Sequence, residues 1–70
     1  MIVVTNYSRQ PGDSLKQYQI QAFADTKTEV VPGATFEGMP VGGEMQPGSS
    51  VVTAKGEIAF LKSDGTWSWV

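Results

Sequence analysis

The sequence contains no cysteine and no histidine. The first absence excludes disulfides. Together they exclude zinc fingers and nearly every transition-metal site, whose ligands are thiolate and imidazole. Nucleophilic catalysis is restricted too, since a serine could call only on lysine or a carboxylate as base. Long apolar runs are missing. None exceeds four residues, as in Met1-Ile2-Val3-Val4, whereas a membrane helix needs about 20. No charged segment followed by an apolar one marks a secretory signal. Positive charge is sparse and dispersed. Five basic residues (Arg9, Lys16, Lys27, Lys55, Lys62), no two adjacent, face seven acidic ones, for a net charge of −2. A protein that binds nucleic acid by counterion release needs a basic face. Neither nucleic acid nor a membrane is therefore an expected partner.

The chain is also short, and its 70 residues allow one small β domain, 1–70. Burying about 4,000 Å² of apolar surface at ~25 cal/mol/Å² supplies roughly 100 kcal/mol. Ordering the 70 residues costs about the same at ~1.5 kcal/mol each. Chains of this size close such a gap with disulfides, a metal or a partner subunit. With the first two excluded by composition, association with another copy or with something larger is the expected device.

Eight of the twelve Gly and Pro residues fall in 32–48. This connecting segment resists helix and interrupts long strands. Its apolar members suggest packing against something else. Before it, residues 1–31 read as a hairpin. Ile2 to Tyr7 are β-branched and aromatic. Pro11-Gly12-Asp13 supplies turn chemistry. Tyr18, Ile20, Ala22 and Ala24 then alternate with Gln17, Gln19, Gln21 and Phe23, the period of a half-buried strand. A helix is the competitor on composition, but helical spacing leaves Ile20 on the wrong side.

Residues 49–70 read as a three-stranded meander: strands at 49–54, 57–62 and 66–70, a two-residue turn at Lys55-Gly56 and a second turn at Ser63-Asp64-Gly65. Ile58 and Phe60 fall on one face of the middle strand, Ala59 and Leu61 on the other. Trp67 and Trp69 share a face. They read as core, as an aromatic platform for a sugar or partner, or as an intersubunit anchor. The expected fold is all-β: a small antiparallel sheet or partial barrel of about five short strands, ending in the meander.

Candidate chemistry is thin. Ser14 with Lys16, and Ser63 with Lys62, lie at turns, where serine belongs for turn reasons. The carboxylates come one per segment, without room for a glycosidase cleft. Asp25 and Glu29 flank a polar loop, but Lys27 sits between them and an EF-hand requires more acidic positions. Gly42-Gly43 lacks the rest of a phosphate loop. No enzyme activity, cofactor or metal is expected. The first strand, 2–7, carries no charge and no Pro. Such a strand either augments a partner's sheet or lies mid-sheet, paired on both sides.

Pro47-Gly48-Ser49, Gly56-Glu57, Phe60-Leu61, Asp64-Gly65 and Trp67 form a pattern, joined by Tyr7-Ser8-Arg9, Asp13-Ser14 and Ala24-Asp25-Thr26-Lys27. In these pieces the chain resembles small β-meander proteins encoded among the structural genes of tailed bacteriophages and prophages. It departs from them between Phe36 and Met45. It also carries Ala54-Lys55-Gly56 where they often have Asp-Thr-Gly. The resemblance brings no catalytic residues. It implies a structural virion protein assembled in the bacterial cytoplasm: a capsid decoration (cement) protein, or part of a head fibre or connector. The implied partners are the major capsid protein, another virion protein, or further copies of the chain as a homo-oligomer. The residues expected to carry such contacts are Ile2, Val3 and Val4, then Phe36, Met39, Val41 and Met45, and Trp67 and Trp69. The alternatives are a small carbohydrate- or ligand-binding β module, with Trp67, Trp69 and Tyr18 as its stacking surface, and an SH3-like adaptor in a bacterial complex.

Overall fold

The structure is a computed structural model and describes residues 1–9 and 17–70. The Pro11-Gly12-Asp13 turn and the Ser14–Lys16 pair lie outside the described residues. Seven strands form one sheet: β1 (Ile2–Arg9), β2 (Gln17–Ala24), β3 (Phe36–Glu37), β4 (Glu44–Met45), β5 (Ser50–Thr53), β6 (Ile58–Leu61) and β7 (Trp67–Trp69). A 3-10 turn, Lys27–Glu29, follows β2. The order across the sheet is β3-β1-β2-β5-β6-β7, with β4 also beside β2. The all-β class, the N-terminal hairpin β1–β2 and the meander β5–β6–β7 are as the sequence predicts.

Two features differ from expectation. The described residues form seven strands rather than about five, because the Gly/Pro-rich segment contributes two of two residues each. The sheet is also mixed rather than antiparallel. β3 runs parallel to β1, and both β4 and β5 run parallel to β2. The reason is connectivity. Residues 25–49 travel from the end of β2 back to its beginning, so the chain re-enters beside β2 in the same direction.

The hairpin contains one irregularity with consequences. Ile2 pairs with Ala24 and Val4 with Ala22, but Asn6 pairs with Gln21 and Tyr7 with Ile20. Thr5 is the extra residue of a β-bulge. It shifts the alternation by one, so Tyr7 shares a face with Ile2 and Val4 and meets Tyr18 edge-on, ring centroids 5.6 Å apart. That face is the core. Ile2, Ile20, Ala22, Ala24, Phe36 and Val51 are buried there.

Residues 38–43 strap across this face, from β3 on one side of β1 to β4 on the far side of β2. Gly38 lies over Val4, and Gly43 lies against the Tyr18 ring, where an added Cβ would sit 3.0 Å from ring carbons. Met39 and Met45 pack against the core from the strap and β4. The sheet curls around these side chains. Phe36 on one edge strand stacks on Trp67 of the other, centroids 5.9 Å apart and planes at 17°.

β4 and β5 lie end to end along one side of β2, and the break between them is spliced by Ser49. This residue is fully buried. Its hydroxyl accepts the Ile20 N–H at 3.0 Å and donates to the Gln46 carbonyl at 2.7 Å.

The meander's first loop has three residues, not the two expected. Thr53 N–H donates to Glu57 O, and Gly56 N–H donates to Thr53 O. Ala54, Lys55 and Gly56 therefore form the loop, with Gly56 at φ 84°. The second loop repeats this arrangement, with Lys62 and Thr66 as its ends and Gly65 at φ 87°.

Candidate interaction surface

The expected partner residues divide between two faces. Ile2 and Phe36 are buried; Val4, Met39, Met45, Trp67 and Trp69 pack on the core. The last five are half-buried, so they serve the fold and still keep part of their surface open. Val41 is fully exposed on the strap, and Val3 lies on the opposite, outer face of the sheet. The first strand combines both readings offered for it. At Ile2 and Val3 it is flanked by β2 and β3. Beyond Val3, no described strand pairs with its outer edge.

Each ring of the suggested aromatic platform has a neighbour within the fold. Trp67 is engaged by Phe36, Tyr18 by Tyr7, and the Trp69 ring by the Lys27 ammonium 4.8 Å from its centroid. Asp25 and Glu29, the candidate calcium carboxylates, both accept from the Met1 ammonium. Glu29 also accepts the Thr26 N–H at 2.9 Å. Among the described residues, no three acidic side chains gather as metal ligands, and no helix is long and apolar enough to cross a membrane.

Two clefts stand out among the described residues. One, of about 350 Å³, lies on the core side between Phe36, Met45, Leu61 and Trp67, with Glu44 the charged residue of its wall. The other, of about 370 Å³, is lined by Asp25, Thr26, Lys27, Thr28, Lys55 and Glu57.

The outer face holds what the residue-by-residue reading missed. Cross-strand partners share a face, so register alone lays out its rows. Val3 pairs with Phe23, Phe23 with Val52, and Val52 with Ile58. Val70 N–H donates to Ile58 O at 2.9 Å, which extends the row onto the last strand. A continuous apolar row thus crosses β1, β2, β5, β6 and the end of β7. The neighbouring row is Asn6, Gln21, Ser50, Phe60 and Ser68. Beyond it Ser8 pairs with Gln19.

Val3, Phe23, Val52, Ile58 and Phe60 are each 38–44% exposed, and Val70 is 89% exposed. Isolated apolar residues at a surface are ordinary, but a contiguous set in register is not. Within the apolar row and the Phe60 row the one charge is Glu37, beside Val3 at the β3 edge; the flanking positions bring the ion-paired Met1 ammonium and Asp25 next to Val3 and Phe23, and Lys62 next to Phe60. The surface has an apolar centre, an amide and hydroxyl row on one side, and its charges at the margin. That is the composition of a protein–protein contact, in which charged side chains are depleted.

Part of this was visible in the sequence. Phe23 breaks a run of glutamines, and Ile58 and Phe60 share a face. What joins them is the parallel register of β2 with β5, which no local pattern announces. No family model, curated protein or solved structure matches this chain.

Proposed function

We propose that this protein acts by assembly rather than by catalysis, as a structural component of a tailed-phage particle, of the capsid decoration type. The observation that carries the reading is the apolar row at the centre of the outer face, with its charges held at the margin. A surface of that kind is desolvated at low cost against another protein. It offers nothing to a phosphate backbone or to a charged substrate. Its resemblance to small phage β-meander proteins supplies the setting: the virion, reached from the host cytoplasm without any disulfide to form. Small size and an unpartnered sheet face suit a protein whose surroundings complete its stability.

The test is co-sedimentation of the purified chain with capsid shells of the encoding phage. The expected result is saturable recovery in the shell fraction, at a fixed ratio to the capsid subunit. Absence of the chain from that fraction at micromolar concentration would overturn the assignment.

A further inference from the structure

Resting on the reading of the outer face as an assembly surface, we infer that its occupant is a second copy of this chain, packed face to face across a two-fold axis. Three observations lead there.

The first is area. The side chains of Val3, Phe23, Val52, Ile58 and Phe60, with Val70 at the end, expose on the order of 400 Å² of apolar surface, within the range of a monomer's largest, often functional patch. Two such faces bring together about 800 Å². At the usual non-polar share of an interface, this corresponds to roughly 1,400 Å² buried in total, the size of a standard stable contact.

The second is charge. Each copy is acidic overall, with a net charge of −2. Self-association through most of its surface would set like charges against each other. The apolar row and the Phe60 row carry only Glu37, and the flanking Met1 ammonium, Asp25 and Lys62 are of mixed sign, so the centre of this face can meet its own image without that penalty.

The third is shape. Phe60 stands between Ser50 and Ser68 in its row, a large side chain flanked by two small ones. Such an alternation is self-complementary, because a two-fold axis can seat each ring over the other copy's serines. Face-to-face packing of two sheets about 10 Å apart is also the standard way to cover a sheet face left bare.

The experiment is sedimentation equilibrium from about 1 to 200 μM, read with the concentration dependence of Tm, which needs no variant. The wild type is expected to dimerise, with a Tm that rises with concentration. Phe60→Asp places a charge at the centre of the contact. It is expected to raise the dimer Kd at least about 30-fold, as the loss of a central aromatic anchor would. Phe60→Ser is the milder companion, should the aspartate impair folding. Val31→Asp, in the segment before β3 and away from this face, should leave the Kd unchanged. A wild type that stays monomeric throughout, or a dimer indifferent to both Phe60 variants, would overturn the inference.

The same proteins are added to capsid shells, which separates this inference from the assignment above. A monomeric wild type whose shell binding is lost in Phe60→Asp gives the face to the capsid, so the second copy is wrong and the assignment stands. A dimer disrupted by Phe60→Asp, with no wild-type binding to shells, supports the second copy and overturns the assignment.

Discussion

Ser49 and Asp64 are both hydrogen-bonded polar residues, and burial makes their expected behaviour opposite. The Ser49 hydroxyl lies fully inside, accepting the Ile20 N–H and donating to the Gln46 carbonyl, which also accepts the Ser49 N–H. Ser49→Ala would leave the Ile20 N–H buried without its acceptor. The expected cost is about 1–3 kcal/mol, the desolvation penalty of an unpaired buried donor. Urea unfolding measures it, and Ser68→Ala on the outer face, expected within about 0.5 kcal/mol of wild type, is the control. Equal effects at the two sites would mean that water replaces the hydroxyl at Ser49. Asp64 is exposed. Its Oδ1 accepts the Thr66 hydroxyl at 2.6 Å and the Thr66 N–H at 3.0 Å. These bonds, the hydroxyl first, hold its carboxyl below the usual carboxylate range. A pKa lowered by folding contributes stability that is present above the unfolded value and lost as pH falls through the folded one. The second hairpin should therefore loosen only in acid. A carbon-13 titration should find Asp64 ionising below the ordinary range; a midpoint at or above it would show that the loop bonds do not persist in solution.

At the scale of elements, the two hairpin loops are the same device written twice, as Ala54-Lys55-Gly56 and Ser63-Asp64-Gly65. Each ends on a glycine in the left-handed region, with nothing within 4 Å of where a Cβ would sit. Gly56→Ala and Gly65→Ala thus test backbone strain without a clash, and each should cost about 1–2 kcal/mol. In the double variant the costs should add within about 0.5 kcal/mol. Chemical denaturation decides; a neutral result at either position would mean that the loop relaxes to another turn. Gly65 was legible beforehand through the Asp-Gly pair, and the alternation around Ile20 placed β2 and its core face correctly. β3 and β4 were not legible, since a two-residue strand has no period to detect. Both form because the strap leads the chain past an open stretch of β1 or β2. The apolar row was hidden for a related reason. Val3, Phe23, Val52 and Ile58 belong to strands far apart in sequence, and their alignment follows from the parallel β2–β5 pairing and the Thr5 bulge. Local chemistry specifies neither, because both are chosen by burial of the opposite face.

At the scale of the whole molecule, the two halves that composition separates are interleaved in space. β5 hydrogen-bonds to β2. Phe36 stacks on Trp67, and Lys27 covers Trp69. The meander by itself has strands of four, four and three residues and no second layer for its Trp-bearing face. Sheets this small are at best marginal without such a layer. Residues 46–70 alone should therefore show no near-ultraviolet circular dichroism band from the tryptophans. Adding the fragment 1–45 should restore it, because the Phe36 ring and the β2 edge then return. In the intact chain, the tryptophan band and the far-ultraviolet β signal should disappear at one midpoint, as a single cooperative unit requires. The intact-chain tryptophan band in the isolated meander, or two separate midpoints, would mean that the halves fold independently. The Phe36–Trp67 stack would then be a contact between finished units rather than the closure of a shared core.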